Sequence, residues 1–343
     1  MGPRIAVVAP AFGDTGGPEV ATMQLVNSLI KKGVDVTLFA PGDWKTKAKH
    51  IVTLEKSLWN MADFKKQSAE ERRDLIISSQ MKVLDYQDNF DLIHLNVQKY
   101  AYLVAKKAKI PCILTLHNKV TDEQYKRIKD SGIYAVALSE ERKEGFDIPA
   151  TAGNGIDVSS ITPSYEKGNY LIAIGRLTET KGIHQAISIS KETGKKLIVF
   201  GRIGNAKKRQ SYYHTVLKPN FQDDVEYRGE VSQKEIISHL RGAEALLFPI
   251  EKQAGYLATY PLIVMEALAC GTPVIGTPIK ATPMIAPSSK IGFFSNDYCS
   301  LKNAILSLEV YDRKSCRSFA EKYLDSSVMA DKYINIYKEV LDN

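Results

Sequence analysis

Cysteine is scarce in this chain, and its four copies (Cys112, Cys270, Cys299 and Cys316) stand far apart with no CxxC pair. That excludes a disulfide scaffold and a cysteine-held zinc site; the thiols read as reduced and mostly buried. No run of about 20 apolar residues is present, so no membrane-spanning helix is expected. No GxGxxG follows any strand, which argues against a dinucleotide-dependent dehydrogenase. There is no Asn-x-Ser/Thr sequon, and the start, MGPRIAVVAP, has one Arg before a short β-rich run rather than a signal-peptide core. These features together favour the cytoplasm.

What is present fits a soluble globular protein. The 343 residues are 25% charged and 44% hydrophobic, which excludes a disordered chain or a collagen. This length suggests two domains, each large enough to bury its own core. The net charge of +7 is shared: residues 1–153 hold 22 basic and 19 acidic side chains, and the remainder holds 24 and 20. Such even spreading weakens a nucleic-acid reading. A mild positive balance still suits an anionic ligand, and it allows peripheral contact with an anionic membrane. The basic stretches of the first half (45–49, 64–66 with Arg72 and Arg73, 106–109) would be the contact, although Glu70, Glu71 and Asp74 dilute them.

The hydrophobic pattern alternates strand and helix. Arg4–Ala9 is a continuous apolar run of the parallel-sheet type, and the loop PAFGDTGGP leads to helical spacing over Glu19–Lys32, stopped by Gly33. Strands follow at Asp35–Ala40, Asp91–Leu95, Cys112–Leu116 and Ala135–Leu138, with a helix over 99–107. The charge-rich segment 45–90 reads as outer helices. A Gly/Ser/Thr-rich boundary lies at 150–163, and the alternation then restarts with strands near 170–174, 196–200, 225–227, 245–249 and 274–276. The expected fold is α/β: two Rossmann-like, doubly wound domains facing each other across a cleft.

Several residues stand where such a fold binds ligands. Arg176 and Lys181 lie five apart on the loop after a strand, in GRLTETKG (175–182). Two cations there can clamp one diphosphate, although alone they fit a solvated surface equally well. Pro261 suits the first turn of a helix, leaving the amides of Leu262 and Ile263 to meet phosphate oxygens, and Glu266 lies one turn further on. Gly16 and Gly17 can take φ > 0 and bring backbone N–H groups to a ligand before a helix start. His117 ends the strand CILTL; a lone His is more often structural, but its strand-end position favours function. His94, in DLIHLN, is a weaker candidate for lining an acceptor pocket. No set of residues has metal-ligand spacing.

GRLTETKG, NGID (154–157) and YPLIVMEALACGTPVIG (260–276) together resemble the retaining GT-B glycosyltransferases of family 4 (group 1), and the likeness extends over almost the whole chain. The resemblance implies domains of 1–153 and 154–325, with a last helix (326–343) crossing back to the first. It implies transfer of a hexose-type sugar, with retention, from a nucleotide diphosphate sugar such as UDP-glucose to a saccharide, lipid-linked or small-molecule acceptor. Arg176 and Lys181 would hold the diphosphate and stabilise it as it leaves; Glu266 would bind the ribose. Gly16 and Gly17 would lie by the donor, and His117 by the transferred sugar. No cofactor is implied, and the absence of an Asp-x-Asp agrees with a family that uses protein cations instead of a metal. NGID reads as a hinge turn.

The pattern departs at one place. The family has a second Glu eight positions before the ribose-binding one, and here that position is Ala258. Glu251, in the same loop, is the candidate to replace it as a catalytic carboxylate. The departure keeps open a nucleotide-sugar-binding protein without transferase activity. A nucleotide-sugar epimerase on the same architecture is a further alternative, against which the pairing of NGID with GRLTETKG argues. The base, the sugar and the acceptor are not readable from these residues.

Overall fold

A computed structural model describes residues 2–13, 16–143, 145–166, 168–251 and 260–342. The chain divides into two compact units, Met1–Ile156 with Ser326–Asn343, and Asp157–Asp325.

The first unit is built on a parallel sheet of seven strands: β1 (Arg4–Val8), β2 (Asp35–Ala40), β3 (Lys49–Val52), β4 (Leu92–Leu95), β5 (Cys112–Leu116), β6 (Tyr134–Ala137) and β7 (Ala150–Thr151). Their order is β3-β2-β1-β4-β5-β6-β7, so the direction of winding reverses between β1 and β4. The central strands are buried on both faces, which explains their unbroken apolar runs. Strand β3 lies inside the segment expected to be helical. It is an edge strand, half exposed, paired as Phe39↔Ile51, and its sequence KHIV lacks the apolar run that marks the others. Helices do occupy part of that segment: Ala69–Met81 starts with a capping box between Ser68 and Glu71.

The last helix, Ser326–Asp342, packs on this unit. Met329, Ala330, Tyr333, Ile336 and Tyr337 enter one core with Ile5, Val7, Leu25, Leu29 and Ile113. Polar contacts fix its register. Ser28 Oγ donates to Ser326 Oγ (2.7 Å), Ser326 N to the Ile156 carbonyl (2.8 Å), and Lys32 pairs with Asp331 (2.8 Å). NGID is not the expected turn: Gly155 stays out of the left-handed region, and Ile156 is buried at this junction.

His94 is corrected here. It is fully buried under the last helix, with Nδ1 2.7 Å from Tyr337 Oη and Nε2 2.8 Å from Thr115 Oγ1. Thr115 in turn meets Tyr333 Oη at 2.7 Å. Burial, with the nearby His117, pushes its pKa down to about 3. It is a neutral, satisfied core histidine that joins β4 to the last helix, not part of an acceptor pocket.

The second unit repeats the plan with six parallel strands: β8 (Leu171–Ile174), β9 (Leu197–Phe200), β10 (Val225–Tyr227), β11 (Ala245–Phe248), β12 (Val274–Gly276) and β13 (Gly292–Phe294). Their order is β10-β9-β8-β11-β12-β13, with the reversal between β8 and β11. In open sheets of this kind ligands sit beyond the C-terminal strand ends at the reversal. Three of the cysteines are buried and Cys299 is exposed; burial pushes the thiols of Cys112, Cys270 and Cys316 up to about 12.

Candidate functional site

In the second unit the loops after β8, β9 and β11 meet at the reversal. Gly175 N donates to the Phe200 carbonyl, and Leu177 N to that of Arg202, which zips the first two loops together. The approach is so close that a Cβ on Gly201 would lie 1.8 Å from the Gly175 oxygen. Gly182, at φ +64°, stands against β11's exit: a Cβ there would lie 1.6 Å from the Pro249 oxygen. Glycine is therefore required at Gly182 by both space and dihedral.

This scaffold gathers cations. The Lys181 stem lies over Gly175, and its Nζ is 5.9 Å from the centroid of the Phe248 ring. Partial burial, then the charges of Arg209 and Arg202, lowers the Arg176 pKa, although the residue remains exposed. Burial, then the Arg176 charge, lowers that of Lys181. Among the described residues none of these four cations has a carboxylate at ion-pair distance, whereas neighbouring Lys208 pairs with Glu179 at 2.9 Å. Like charges held together without a counter-ion raise the energy of the free protein and favour an anion in their midst. Of the four, Arg209 lines a cavity of about 270 Å³, together with Thr178, Glu179, Thr180, Lys208 and Tyr212.

Arg202 and Arg209 are not among the residues singled out from sequence. A signal existed: Gly-Arg follows the strand twice, at 175–176 after β8 and at 201–202 after β9.

The helix Leu262–Ala269 begins just after Pro261 in extended conformation, and the proline has no side-chain oxygen to cap the amides of the first turn. Glu266 is partly buried. Burial pushes its carboxyl up to about 7, against the lowering effect of a hydrogen bond with Gln233. Glu251 leaves the end of β11 with its N–H donating to the Thr180 carbonyl (3.2 Å). Its carboxylate accepts from Gln185 Nε2 at 2.8 Å and lies 3.3 Å from His184 Nε2. His184 Nδ1 is in turn 2.8 Å from Tyr212 Oη. Glu251 is thus engaged with the helix Ile183–Thr193. Ala258 and the stretch 252–259 lie outside the described residues.

In the first unit the corresponding reversal lies between β1 and β4. Gly16 precedes the helix Gly17–Lys31 at φ −77° and ψ 159°, and neither it nor Gly17 takes the expected positive φ. Glycine serves another purpose at Gly16: the buried Glu19 side chain folds back over it, and a Cβ would lie 1.9 Å from Glu19 Oε2. Burial raises the Glu19 pKa. His117 stands one residue past β5, 7% exposed, with Nε2 3.2 Å from Asn96 Oδ1, and burial pushes its pKa down to about 4. Its imidazole is neutral at physiological pH and serves as a hydrogen-bonding group rather than a charge.

Of the basic stretches in this unit, Lys66 pairs with Asp63 and Arg73 with Glu70 and Asp74, so part of that charge is neutralised on the spot. Among the described residues no helix is long and apolar enough to cross a membrane, and no cluster of three metal-ligating side chains occurs.

Comparison with known proteins covers both units. Residues 15–143 match the model of Glycosyltransferase Family 4, and residues 157–323 match that of Glycosyl transferases group 1. A protein of Escherichia coli named as a colanic acid biosynthesis glycosyltransferase, WcaL, is 27% identical over 172 residues, which cover 48% of this chain and 42% of the relative. The match thus spans less than half of that relative's length. The processive diacylglycerol alpha-glucosyltransferase of Acholeplasma laidlawii is 26% identical over 231 residues, covering 56% of this chain and 67% of the relative. Among solved structures, HepE of Anabaena in complex with UDP-glucose superimposes with a TM-score of 0.73 at 15% identity, over 98% of this chain and 100% of that one. At that identity the likeness shows a shared fold.

Proposed function

The chain belongs to the glycosyltransferases of family 4 and group 1 and has their GT-B fold, and from this premise we propose that it moves a hexose-type sugar from a nucleotide diphosphate sugar to an acceptor hydroxyl, with retention. The observation that carries the reading is the unpaired cation cluster at the β8/β11 reversal. A diphosphate is the anion that two loop cations five residues apart can grip from two sides. As the sugar bond breaks, negative charge grows on the departing diphosphate. Arg176 and Lys181, held at the strand end by the loop between β8 and the following helix, stabilise that charge. They take the part a divalent metal plays elsewhere, so transfer is expected to persist in a chelator.

The other roles follow from position. Glu266, as the carboxylate, accepts from the ribose diol, and the amides of Leu262 and Ile263 face phosphate oxygens. Neutral His117 bonds a hydroxyl of the transferred sugar, with Gly16 and Gly17 leaving room beside the helix start. Glu251 is the carboxylate assigned to the reacting sugar; its bonds to Gln185 and His184 would have to open for it to act. The names of the relatives, one in colanic acid synthesis and one acting on diacylglycerol, support a place in glycan or glycolipid assembly at a cytoplasmic site. UDP-glucose, bound in the HepE structure, is the first donor to test.

A thermal-shift screen of nucleotides and nucleotide sugars tests this reading. A true ligand at 100 times its Kd adds about 2.7 kcal/mol of stability. UDP sugars or GDP-mannose should raise the Tm, and a chelator should leave the rise unchanged. No rise with any nucleoside diphosphate sugar would sink the proposal. Binding with neither hydrolysis nor transfer would favour a non-catalytic binding protein.

A further inference from the structure

Glu251 stands close to the cation cluster and does not join it. Its N–H donates to the carbonyl of Thr180, the neighbour of Lys181, and Lys181 Nζ lies 5.9 Å from the ring of Phe248, three residues before Glu251. Between them the backbone is pressed together where Gly182 meets the Pro249 carbonyl. Yet among the described residues the Glu251 carboxylate is at ion-pair distance from His184 alone, not from Arg176 or Lys181. Burial and the Arg176 charge set the lowered Lys181 pKa, with no raising effect from Glu251.

The carboxylate is held by the first turn of the helix Ile183–Thr193. Both contacts fall on one oxygen: Oε1 accepts from Gln185 Nε2 at 2.8 Å and lies 3.3 Å from His184 Nε2. Oε2 has no hydrogen bond to a described residue. A carboxylate only accepts, which assigns the hydrogen to His184 Nε2; in the neutral ring, Nδ1 then accepts from the Tyr212 hydroxyl, 2.8 Å away. Tyr212 is 6% exposed, and burial pushes its pKa up to about 12, so it keeps the proton that it gives to His184.

The partners that Glu251 lacks are stronger than those it has. A carboxylate gains more from Lys or Arg than from a neutral amide. A side chain tethered beside Lys181 is also an intramolecular anion, present at high effective concentration. Left free, Glu251 would compete for the cations that a diphosphate needs.

We propose that Tyr212, His184 and Gln185 are positioning residues, which hold Glu251 off Arg176 and Lys181 and so keep the anion seat open for the donor. The proposal rests on the assignment of that cluster to a nucleotide diphosphate.

Titration calorimetry on the full chain, with UDP and with inorganic pyrophosphate, tests it. Gln185→Ala removes the 2.8 Å bond to Glu251. Tyr212→Phe removes the hydroxyl that fixes His184 and keeps the ring. Each should weaken both ligands severalfold, and the two together on the order of tenfold. Adding Glu251→Gln removes the competing charge; it should restore affinity in the loosened proteins by more than it changes the wild type. A merely structural role lacks that coupling, because a distorted site is not repaired by neutralising Glu251. Thermal unfolding shows which variants fold, and either loosened variant suffices alone. Unchanged affinity in Gln185→Ala and Tyr212→Phe, or an equal effect of Glu251→Gln in both backgrounds, overturns the proposal while the anion site stands. If neither UDP nor pyrophosphate binds the wild type, the cluster is not a diphosphate seat, and the transfer reading falls together with the proposal.

Discussion

The two units share one winding plan and differ at the same place in it. Both reverse direction between the first and fourth strands, and both collect polar side chains beyond the strand ends there. In the first unit these are Asn96 and His117, neutral and buried. In the second they are Arg176, Lys181, Arg202 and Arg209, charged and drawn together. The backbone decides where a ligand can lie; the side chains on the segments after each strand decide what kind it is. One edge is neutral and the other gathers positive charge.

The sharpest way to break this contrast is to remove the charge. Each charge-assisted bond contributes roughly 1.5–3 kcal/mol. Arg176→Ala combined with Lys181→Ala should therefore lower UDP affinity on the order of 10²-fold or more, read by titration calorimetry. Unchanged affinity would mean that the second edge is not an anion site.

Backbone crowding offers a smaller effect. Gly182→Ala places a methyl against the Pro249 carbonyl at positive φ, where neither side can yield cheaply. A loss of about 3 kcal/mol or more is expected in thermal or denaturant unfolding. Gly16→Ala, at an ordinary φ, asks only that the Glu19 carboxylate swing away, and should cost less than about 1 kcal/mol. Equal losses would show that the glycines of the two edges do the same job.

The smallest effect is in pH. His94 and His117 have pKa values of about 3 and 4 in the folded chain, below the ordinary histidine value. The unfolded chain takes up their protons first, so the first unit loses stability as pH falls below about 6.5 and onward through those values. Glu266, at about 7, is raised above the ordinary carboxylate range. Its folded form holds the proton longer, so the second unit is favoured at low pH and loses that contribution as pH rises through about 7. Glu266→Gln should flatten the rise-with-pH loss, giving a Tm gain that is larger at pH 8 than at pH 5. A gain equal at both values would show that the carboxyl is not held protonated by burial.

The legible parts of this chain were those written in local pattern. The buried strands β1, β2, β5, β8 and β9 are unbroken apolar runs, and a parallel sheet covered on both faces demands such runs. Arg176, Lys181 and Glu266 sit in short motifs whose spacing is itself the signal. Edge strand β3 was missed because half its surface faces water, and the two-residue β7 and three-residue β13 are too short to show a period. His94 and His117 look alike as sequence, each in a strand-end segment. Which one is sealed under the last helix depends on Tyr333 and Tyr337, more than 200 residues away. Arg202 joins Arg176 only because two glycine backbones touch.

The sequence by itself therefore determined the two α/β units, the family and the cationic loop, since each depends on residues close together along the chain. Tertiary structure alone decided that four cations share one strand edge, that His94 belongs to the core, and that Glu251 bonds to the helix Ile183–Thr193 instead of to a cation. Those outcomes depend on which strands become neighbours and on where the last helix lies. Burial, which moves a pKa or leaves a hydrogen bond unmade, exists only once distant segments have packed.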